Sequence, residues 1–252
     1  MDINSDINIL GSLPDWTLIK AFLSEDMDSI KDKGGIHKYT AIKTDKSVKR
    51  FEKAIKTTLI QNNKPGLETI IRQAVQVNTI NADTLLLLFW NASANNELLF
   101  HLNDKVFFPA FFSERVSVRN HEVVACIKEL KQSEKDLKKW SENTITITAS
   151  KYLTLLKKFG LMDGTRNKEI IHPHLNDNMF ILYSYWIAAI SDKPNLVNSP
   201  WLSYCFSEKQ FFLERLLQKK FSKYYNVVYT GDKLSIEPKI PYESIYEYIS
   251  KS

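Results

Sequence analysis

Few side chains in this 252-residue sequence have the types and spacing for acid–base or metal chemistry. His172-Pro173-His174 sets two imidazoles on either side of a proline, and Glu129-Leu130-Lys131 and Glu237-Pro238-Lys239 are acid-x-lysine triplets. Two imidazoles hold a metal only if a third and fourth ligand come from elsewhere, so the pair reads as loop histidines without a metal. Metal-dependent nucleases use an acid-x-lysine on a strand with a further acid upstream. Here Glu129 falls on a predicted helix, and Asp232 is too close to Glu237 to serve. There is no phosphate-cradling glycine-rich loop, no HExxH pair and no nucleophile elbow. No catalytic residue, metal or cofactor is expected, and no small-molecule substrate.

Phosphate binding is a different matter, because the cations are clustered. Net charge is only +5, yet residues 31–57 hold nine Lys or Arg against three acids (9 − 3 = +6), and residues 128–168 hold ten against five (10 − 5 = +5). The opening residues 1–30 are acidic (1 − 6 = −5), residues 58–127 come to 5 − 6 = −1, and residues 169–252 balance at 9 − 9 = 0. Two basic blocks are the electrostatic footprint of a surface that meets nucleic-acid phosphates, although a solvated helix face produces such a run more often.

The second block is built on the stretch from Trp140 to Ile171. Ser141 can accept a bond from an orphan amide of a first helical turn, and Gly160 can close the helix in a left-handed conformation. Between them Ile145, Ala149, Tyr152, Leu156 and Phe159 recur at helical spacing on one face, with Asn143, Ser150, Lys151, Thr154, Lys157 and Lys158 on the other. Thr144 to Thr148 alternates with period two and is β-branched, which taken locally spells a strand. The unbroken apolar stripe and the closing Lys157-Lys158 pair favour the helix, leaving Ile147 unexplained on the polar side. After the helix, Asp163-Gly164 signals a turn, and Glu169 to Ile171 can pair back on Leu161-Met162 as a hairpin tipped by Arg166 and Lys168. Helix then basic hairpin is the outline of a winged helix, with the amphipathic stretch His121 to Gln132 as its supporting helix.

The first block is organised in the same way. Thr44 caps a helix running to Gln61, with Val48, Phe51, Ile55 and Leu59 on its dry side and Lys46, Lys49, Arg50, Lys53 and Lys56 on the remaining faces. The segment Ile36 to Ile42, after Gly34-Gly35, would complete a small helix-turn-helix. Further helices are predicted at Ser12 to Leu23, Leu67 to Val77, Ala82 to Ala92, Asn176 to Ser191, Glu208 to Phe221 and Tyr242 to Ile249. In the Glu208 to Phe221 helix, Phe211, Phe212, Leu216 and Leu217 are expected to point inward. Tyr225 to Thr230 and Lys233 to Glu237 form a hairpin across Gly231-Asp232. The aromatic run Leu98 to Phe112, interrupted by Pro109, is expected to plug the space between the two basic units.

The fold expected is mainly α: two helix-turn-helix-like units, the second with a β-hairpin wing, packed through a helical core, plus a C-terminal helix and β-hairpin. Its segments are a helical unit with a basic helix (1–64), a connector (65–118), a winged-helix-like unit (119–175) and the C-terminal part (176–252). Gly and Pro total only 7 + 8 = 15, consistent with a folded chain. Cys126 and Cys205 are isolated, as suits a reducing cytoplasm. The opening residues are polar and acidic, unlike a signal peptide, and neither Leu85 to Trp90 nor Met179 to Ile190 approaches the roughly 20 residues a spanning helix needs. A soluble, cytoplasmic protein without a membrane partner is expected.

The run Lys138-Lys139-Trp140-Ser141-Glu142-Asn143-Thr144, continuing through Tyr152-Leu153 and Leu156 to Gly160-Leu161 and Asp163-Gly164, resembles the middle of the BrxA family of the BREX bacteriophage-exclusion systems. Lys43-Thr44-Asp45-Lys46-Ser47-Val48-Lys49-Arg50 resembles that family's other basic helix start. The resemblance covers about half the chain and stops short of the stretch after Pro194. It implies a mostly helical protein without known catalytic activity, similar to DNA-binding modules. The expected function is therefore non-catalytic binding of double-stranded DNA, mainly through backbone phosphates, in phage defence. Candidate contacts are Lys46, Lys49, Arg50, Lys53 and Lys56 on one unit, and Asn143, Thr146, Ser150, Lys151, Lys158, Arg166 and Lys168 on the other. Alternatives are an adaptor that joins other BREX proteins, using the same surfaces or the aromatic segment Phe107 to Phe112, and a transcriptional regulator of the defence operon.

Overall fold

The computed structural model describes residues 3–14, 16–23, 42, 44–77, 80–165, 168–191 and 195–251. Ile36 to Ala41, Lys43 and Arg166 lie outside the described residues, and with them most of the segment expected to start the first helix-turn-helix. The chain divides into two compact units, residues 1–61 with 74–171 and residues 62–73 with 172–252.

The first unit holds α1 (Asp6–Leu10), α2 (Thr17–Leu23), α3 (Asp45–Ala54), α5 (Ala82–Asn95), α6 (Glu97–Leu102), α7 (Phe108–Phe112), α8 (Asn120–Ser133), α9 (Glu142–Lys158) and the strands β1 (Met162–Asp163) and β2 (Glu169–Ile170). Helix α4 (Pro65–Val77) carries the chain between the units. Each main start has its own cap: Thr44, Asn81, Asn96 and Ser141 accept from Ser47, Thr84, Leu99 and Thr144 amides, satisfying donors that have no partner inside the helix. Thr144 to Thr148 is helical, not extended. Its β-branched residues are tolerated because Ile145, Thr148, Ala149 and Tyr152 all bury on one side, and tertiary burial outweighs the local preference. Helix α9 closes through Gly160 at φ +76, with Gly160 N–H donating to Lys157 O and Leu161 N–H to Leu156 O, a Schellman arrangement.

Three expectations need correction in this unit. Ser12 to Leu23 is not one helix, because the chain turns at Gly11 and resumes at Thr17; Leu18, Ile19 and Phe22 are buried as an amphipathic helix requires. Helix α3 does not continue unchanged to Gln61 but widens into a π-helical turn over Ile55–Ile60. Asn91 and Asn95 of α5 donate to the carbonyls of Leu59, Thr58 and Gln61, which the wider turn leaves without helical partners. Pro109 does not interrupt the aromatic run; it sits in the first turn of α7, where a missing N–H costs nothing, after a second π turn at Asn103–Phe107.

The core of the unit is aromatic and contains a short polar chain. Tyr152 of α9 donates to Asn103 Oδ1 at 2.9 Å, and Asn103 Nδ2 donates to Ser93 Oγ at 3.0 Å, all buried. Phe159 lies 5.4 Å from Trp16 and 5.6 Å from Phe89 between ring centroids. The Leu98 to Phe112 run is therefore interior, with only Phe112 of its aromatics substantially exposed.

The second unit is built around α10 (Asp177–Ile190), capped by Asn176 and buried from Met179 to Ile187. Helix α11 (Lys209–Leu216), the antiparallel pair β3 (Tyr225–Tyr229) and β4 (Leu234–Pro238), and α12 (Tyr242–Ser250) complete it. Tyr185 of α10 fastens the hairpin, donating to Tyr224 O at 2.7 Å and accepting from Ile240 N–H at 3.1 Å. The expected Glu208 to Phe221 helix is shorter, ending at Leu216 before a 3₁₀ turn at Lys219–Phe221. Phe212 and Leu216 are buried, but Phe211 and Leu217 are 61% and 54% exposed, contrary to expectation. Phe212, Leu213 and Leu216 already complete the inward stripe, so its neighbours turn to solvent.

A tight contact joins α1 to α9. Gly11 has helical dihedrals, and a Cβ there would lie 2.6 Å from Lys151 O and 2.9 Å from Ile7 O. Both are backbone atoms that cannot step aside. Gly11→Ala should therefore cost about 1–3 kcal/mol through overpacking, read as a lower denaturant midpoint. An unchanged midpoint would contradict the contact.

Candidate nucleic-acid interface

Helix α3 presents four cations on one face. Lys46, Lys49, Arg50 and Lys53 stand at spacings i, i+3, i+4 and i+7, and all four are exposed. Among the described residues none of these four side chains is in an ion pair or hydrogen bond. Lys56, one turn on, differs: its Nζ lies 2.8 Å from Glu52 Oε1, so its charge is locally balanced. The opposite side of the helix buries Val48 and Ala54, which fixes the outward direction of the cations.

Helix α9 presents a polar stripe instead. Asn143, Thr146, Ile147 and Ser150 are exposed and Thr154 half-buried, successive positions of one helical face. The flanks of that face are occupied. On one side α1 packs on Lys151, Asn8 Nδ2 donates to Thr148 Oγ1 at 3.0 Å, Lys158 Nζ donates to Leu13 O, and Trp16 Nε1 donates to Lys158 O at 2.9 Å. Lys158 is thus part of the packing of the N-terminal segment on α9. On the other side α8 contributes Asn120, whose Nδ2 lies 2.9 Å from Ser150 Oγ, and Lys128, whose Nζ lies 2.6 Å from Glu142 Oε2. That lysine holds the Glu142 carboxyl below the usual carboxylate range.

The hairpin is tied back to the end of α9. Lys157 Nζ donates to Gly164 O at 2.8 Å and lies 3.3 Å from Asp163 Oδ1, and β1 pairs Met162 with Ile170 and Asp163 with Glu169. The segment before α8 touches this pair through an isolated bridge: Ser117 bridges to Glu169, and Ile170 N–H donates to Val116 O at 2.8 Å. Lys168, at the base of the tip, is half-buried, and burial followed by the nearby Lys157 charge lowers its ammonium pKa. Arg166 lies outside the described residues.

The start of α8 is fixed by Glu122. Its carboxylate accepts from Arg119 N–H at 2.7 Å and from Arg115 Nη2 at 2.6 and 2.8 Å. Burial opposes its ionisation, but these bonds outweigh that penalty and keep its carboxyl below the usual range. The candidates read from the sequence omit Asn120, Lys128 and Lys157. Lys157 alone leaves a signal there, an opposite charge six residues on at the turn.

The described residues contain no cluster of three His, Cys, Asp or Glu able to hold a metal, and His172 and His174 are exposed in a connecting segment. No helix of the described residues is long and apolar enough to cross a membrane.

These features define a mainly helical protein with two small antiparallel hairpins, carrying one cationic and one polar helix face in the same unit. A family model described as BrxA matches residues 20–182, a span that includes both faces and the hairpin between β1 and β2. The chain belongs to the BrxA family and is thereby a protein of BREX phage defence. No curated protein and no solved structure matches it.

Glu122 makes a pH-dependent contribution to α8. A carboxyl whose folded pKa is depressed contributes stability that is present above its ordinary value of 4.5 and lost as pH falls through the lower folded value. Glu122→Ala should lower stability by about 1 kcal/mol at neutral pH, as loss of a helix cap does. The gap from wild type should narrow below about pH 4.5 in urea titrations. A gap independent of pH would contradict the assigned bonding.

Proposed function

We propose that the protein is a non-catalytic, double-stranded-DNA-binding component of BREX defence that grips DNA mainly through backbone phosphates. The observation that carries this is the α3 face: four exposed cations at helical spacing, none of them ion-paired among the described residues although Asp45 and Glu52 share the helix. Unpaired cations on one face repel one another by a few tenths of a kcal/mol per pair, a cost that a bound polyanion reverses.

The first unit adds support. Its order of helix α7, a single β-bridge at Ser117, α8, α9, then β1 and β2 supports a winged helix-turn-helix reading, in which the second helix of the pair would enter the major groove and the hairpin would reach the flanking backbone. The link from α8 to α9 is longer than the usual three- or four-residue turn and contains a 3₁₀ turn at Asp136–Lys139, steadied by buried Leu137 and by Lys131 Nζ donating to Trp140 O at 2.7 Å. In this arrangement Lys46, Lys49, Arg50, Lys53, Lys151 and Lys168 meet phosphates, and Asn143, Thr146 and Ser150 face bases. An adaptor that joins other defence proteins through Phe107 to Phe112 is less well supported, because Phe107, Phe108 and Phe111 are spent on the core.

Each engaged phosphate contact should add about 0.9 to the slope of log affinity against log salt. Fluorescence anisotropy with a random duplex should therefore give steeply salt-dependent binding. Replacing Lys46, Lys49, Arg50 and Lys53 together by Ala should flatten the slope by up to about 3–4 and weaken every sequence alike. An unchanged slope and affinity in that variant would remove DNA from this face.

A further inference from the structure

The polar stripe of α9 has lost most of its hydrogen-bond donors to its own backbone. Thr146 Oγ1 donates to Glu142 O at 3.0 Å, Ser150 Oγ to Thr146 O at 3.1 Å and Thr154 Oγ1 to Ser150 O at 2.8 Å. A hydroxyl has one hydrogen to give, so these three present only acceptor lone pairs outward, and Ser150 already receives Asn120 on one of them. Asn143 is the exception: its amide is exposed and makes no hydrogen bond among the described residues. One turn further on, in the middle of the stripe, Ile147 is 44% exposed.

We propose that Asn143 and Ile147 form an A·T-reading pair in the major groove, Asn143 bonding an adenine edge and Ile147 covering a thymine methyl. The proposal rests on the DNA-binding function above and assigns base preference within it. Each base pair presents a distinct pattern in that groove: adenine offers N7 as acceptor and N6 as donor, which an asparagine amide matches with two bonds, and thymine alone offers a methyl group. Guanine is read by Arg or Lys, and no position from Asn143 to Ser150 carries either. Cytosine is read by a carboxylate, and the one nearby, Glu142, is held by Lys128 at 2.6 Å. Water must leave this face when it enters a groove, and Ile147 then gains only against an apolar partner. Four residues of helix rise about 6 Å, a little under two base-pair steps, so the two side chains can address base pairs within two steps of each other.

The test uses the full chain at one salt concentration and an A·T-rich duplex in three forms: ordinary, with deoxyuridine for thymidine to remove the methyl, and with 7-deazadeoxyadenosine to remove N7. Wild type should lose roughly tenfold in affinity on the 7-deaza duplex and several-fold on the deoxyuridine duplex. Ile147→Ser should abolish the deoxyuridine effect and keep the 7-deaza effect, and Asn143→Ala should do the reverse. Both side chains are exposed, so both variants should melt close to wild type, which a thermal scan verifies. Equal wild-type affinity for all three duplexes would overturn the proposal while leaving DNA binding intact, as would variants that weaken on every duplex by the same factor. No salt-dependent binding to any duplex would instead remove the parent function, and the pair with it.

Discussion

Helix α9 can show one free face only because α1 approaches its other flank without a side chain at the point of contact. Gly11 has helical dihedrals, so no left-handed turn demands a glycine there; what demands it is the carbonyl of Lys151, 2.6 Å from where a Cβ would stand. Around that contact Asn8, Leu13 and Trp16 bond to Thr148 and to the two ends of Lys158. With α8 closing the opposite flank through Asn120 and Lys128, which pairs with the exposed Glu142, the exposed face outside that ion pair comprises Asn143, Thr146, Ile147 and Ser150. The chemistry open to α9 follows from what covers it.

Pairing, more than position in the sequence, sorts the cations of the two basic blocks. Lys56, Lys128 and Lys157 each lie beside a carboxylate, and Lys158 bonds a carbonyl. A surface ion pair of this kind adds at most about 1 kcal/mol to stability, but it cancels the local field that would draw a phosphate. Lys46, Lys49, Arg50 and Lys53 keep their field. The two blocks have similar net charge in the sequence, +6 and +5, and among the described residues the second also holds cations outside any ion pair, Lys135, Lys138, Lys139 and Lys151, but on α3 four such cations share one helical face. On the proposed reading, the aligned cations of α3 would contribute long-range steering, while the exposed face of α9 offers the shorter-range chemistry of an amide and a methyl-bearing side chain.

Local signals carried most of the α-helical architecture. Ser141 and Gly160 bound α9, Thr44 starts α3, and Gly231, at φ +87, turns β3 into β4. These features act within a few residues, so they are legible in the chain itself. What was not legible depended on distant partners or on surplus. Lys158 and Leu13 are 145 positions apart, and Tyr152 and Asn103 are 49 apart, beyond any helical period. The α11 region has five large apolar residues for an inward stripe that needs three, so Phe211 and Leu217 could not be told from Phe212 and Leu216. Both π turns shift the helical phase by one residue without a sequence mark, and Pro109 resembles a breaker until a preceding turn makes it a first-turn residue. Ile147, anomalous as a core residue, is coherent as a surface one.

The central claim is that DNA lies on the α3 face and on the N-terminal half of α9. Amide hydrogen exchange of the full chain, with and without an excess of a 20-base-pair duplex, tests it without altering any residue. Expected is slower exchange at Asp45–Ala54 and at Glu142 to Ser150, with α10 and the β3–β4 hairpin unchanged. Protection confined to residues 172–252, or none in α3 and α9 when the duplex is saturating, would contradict the account.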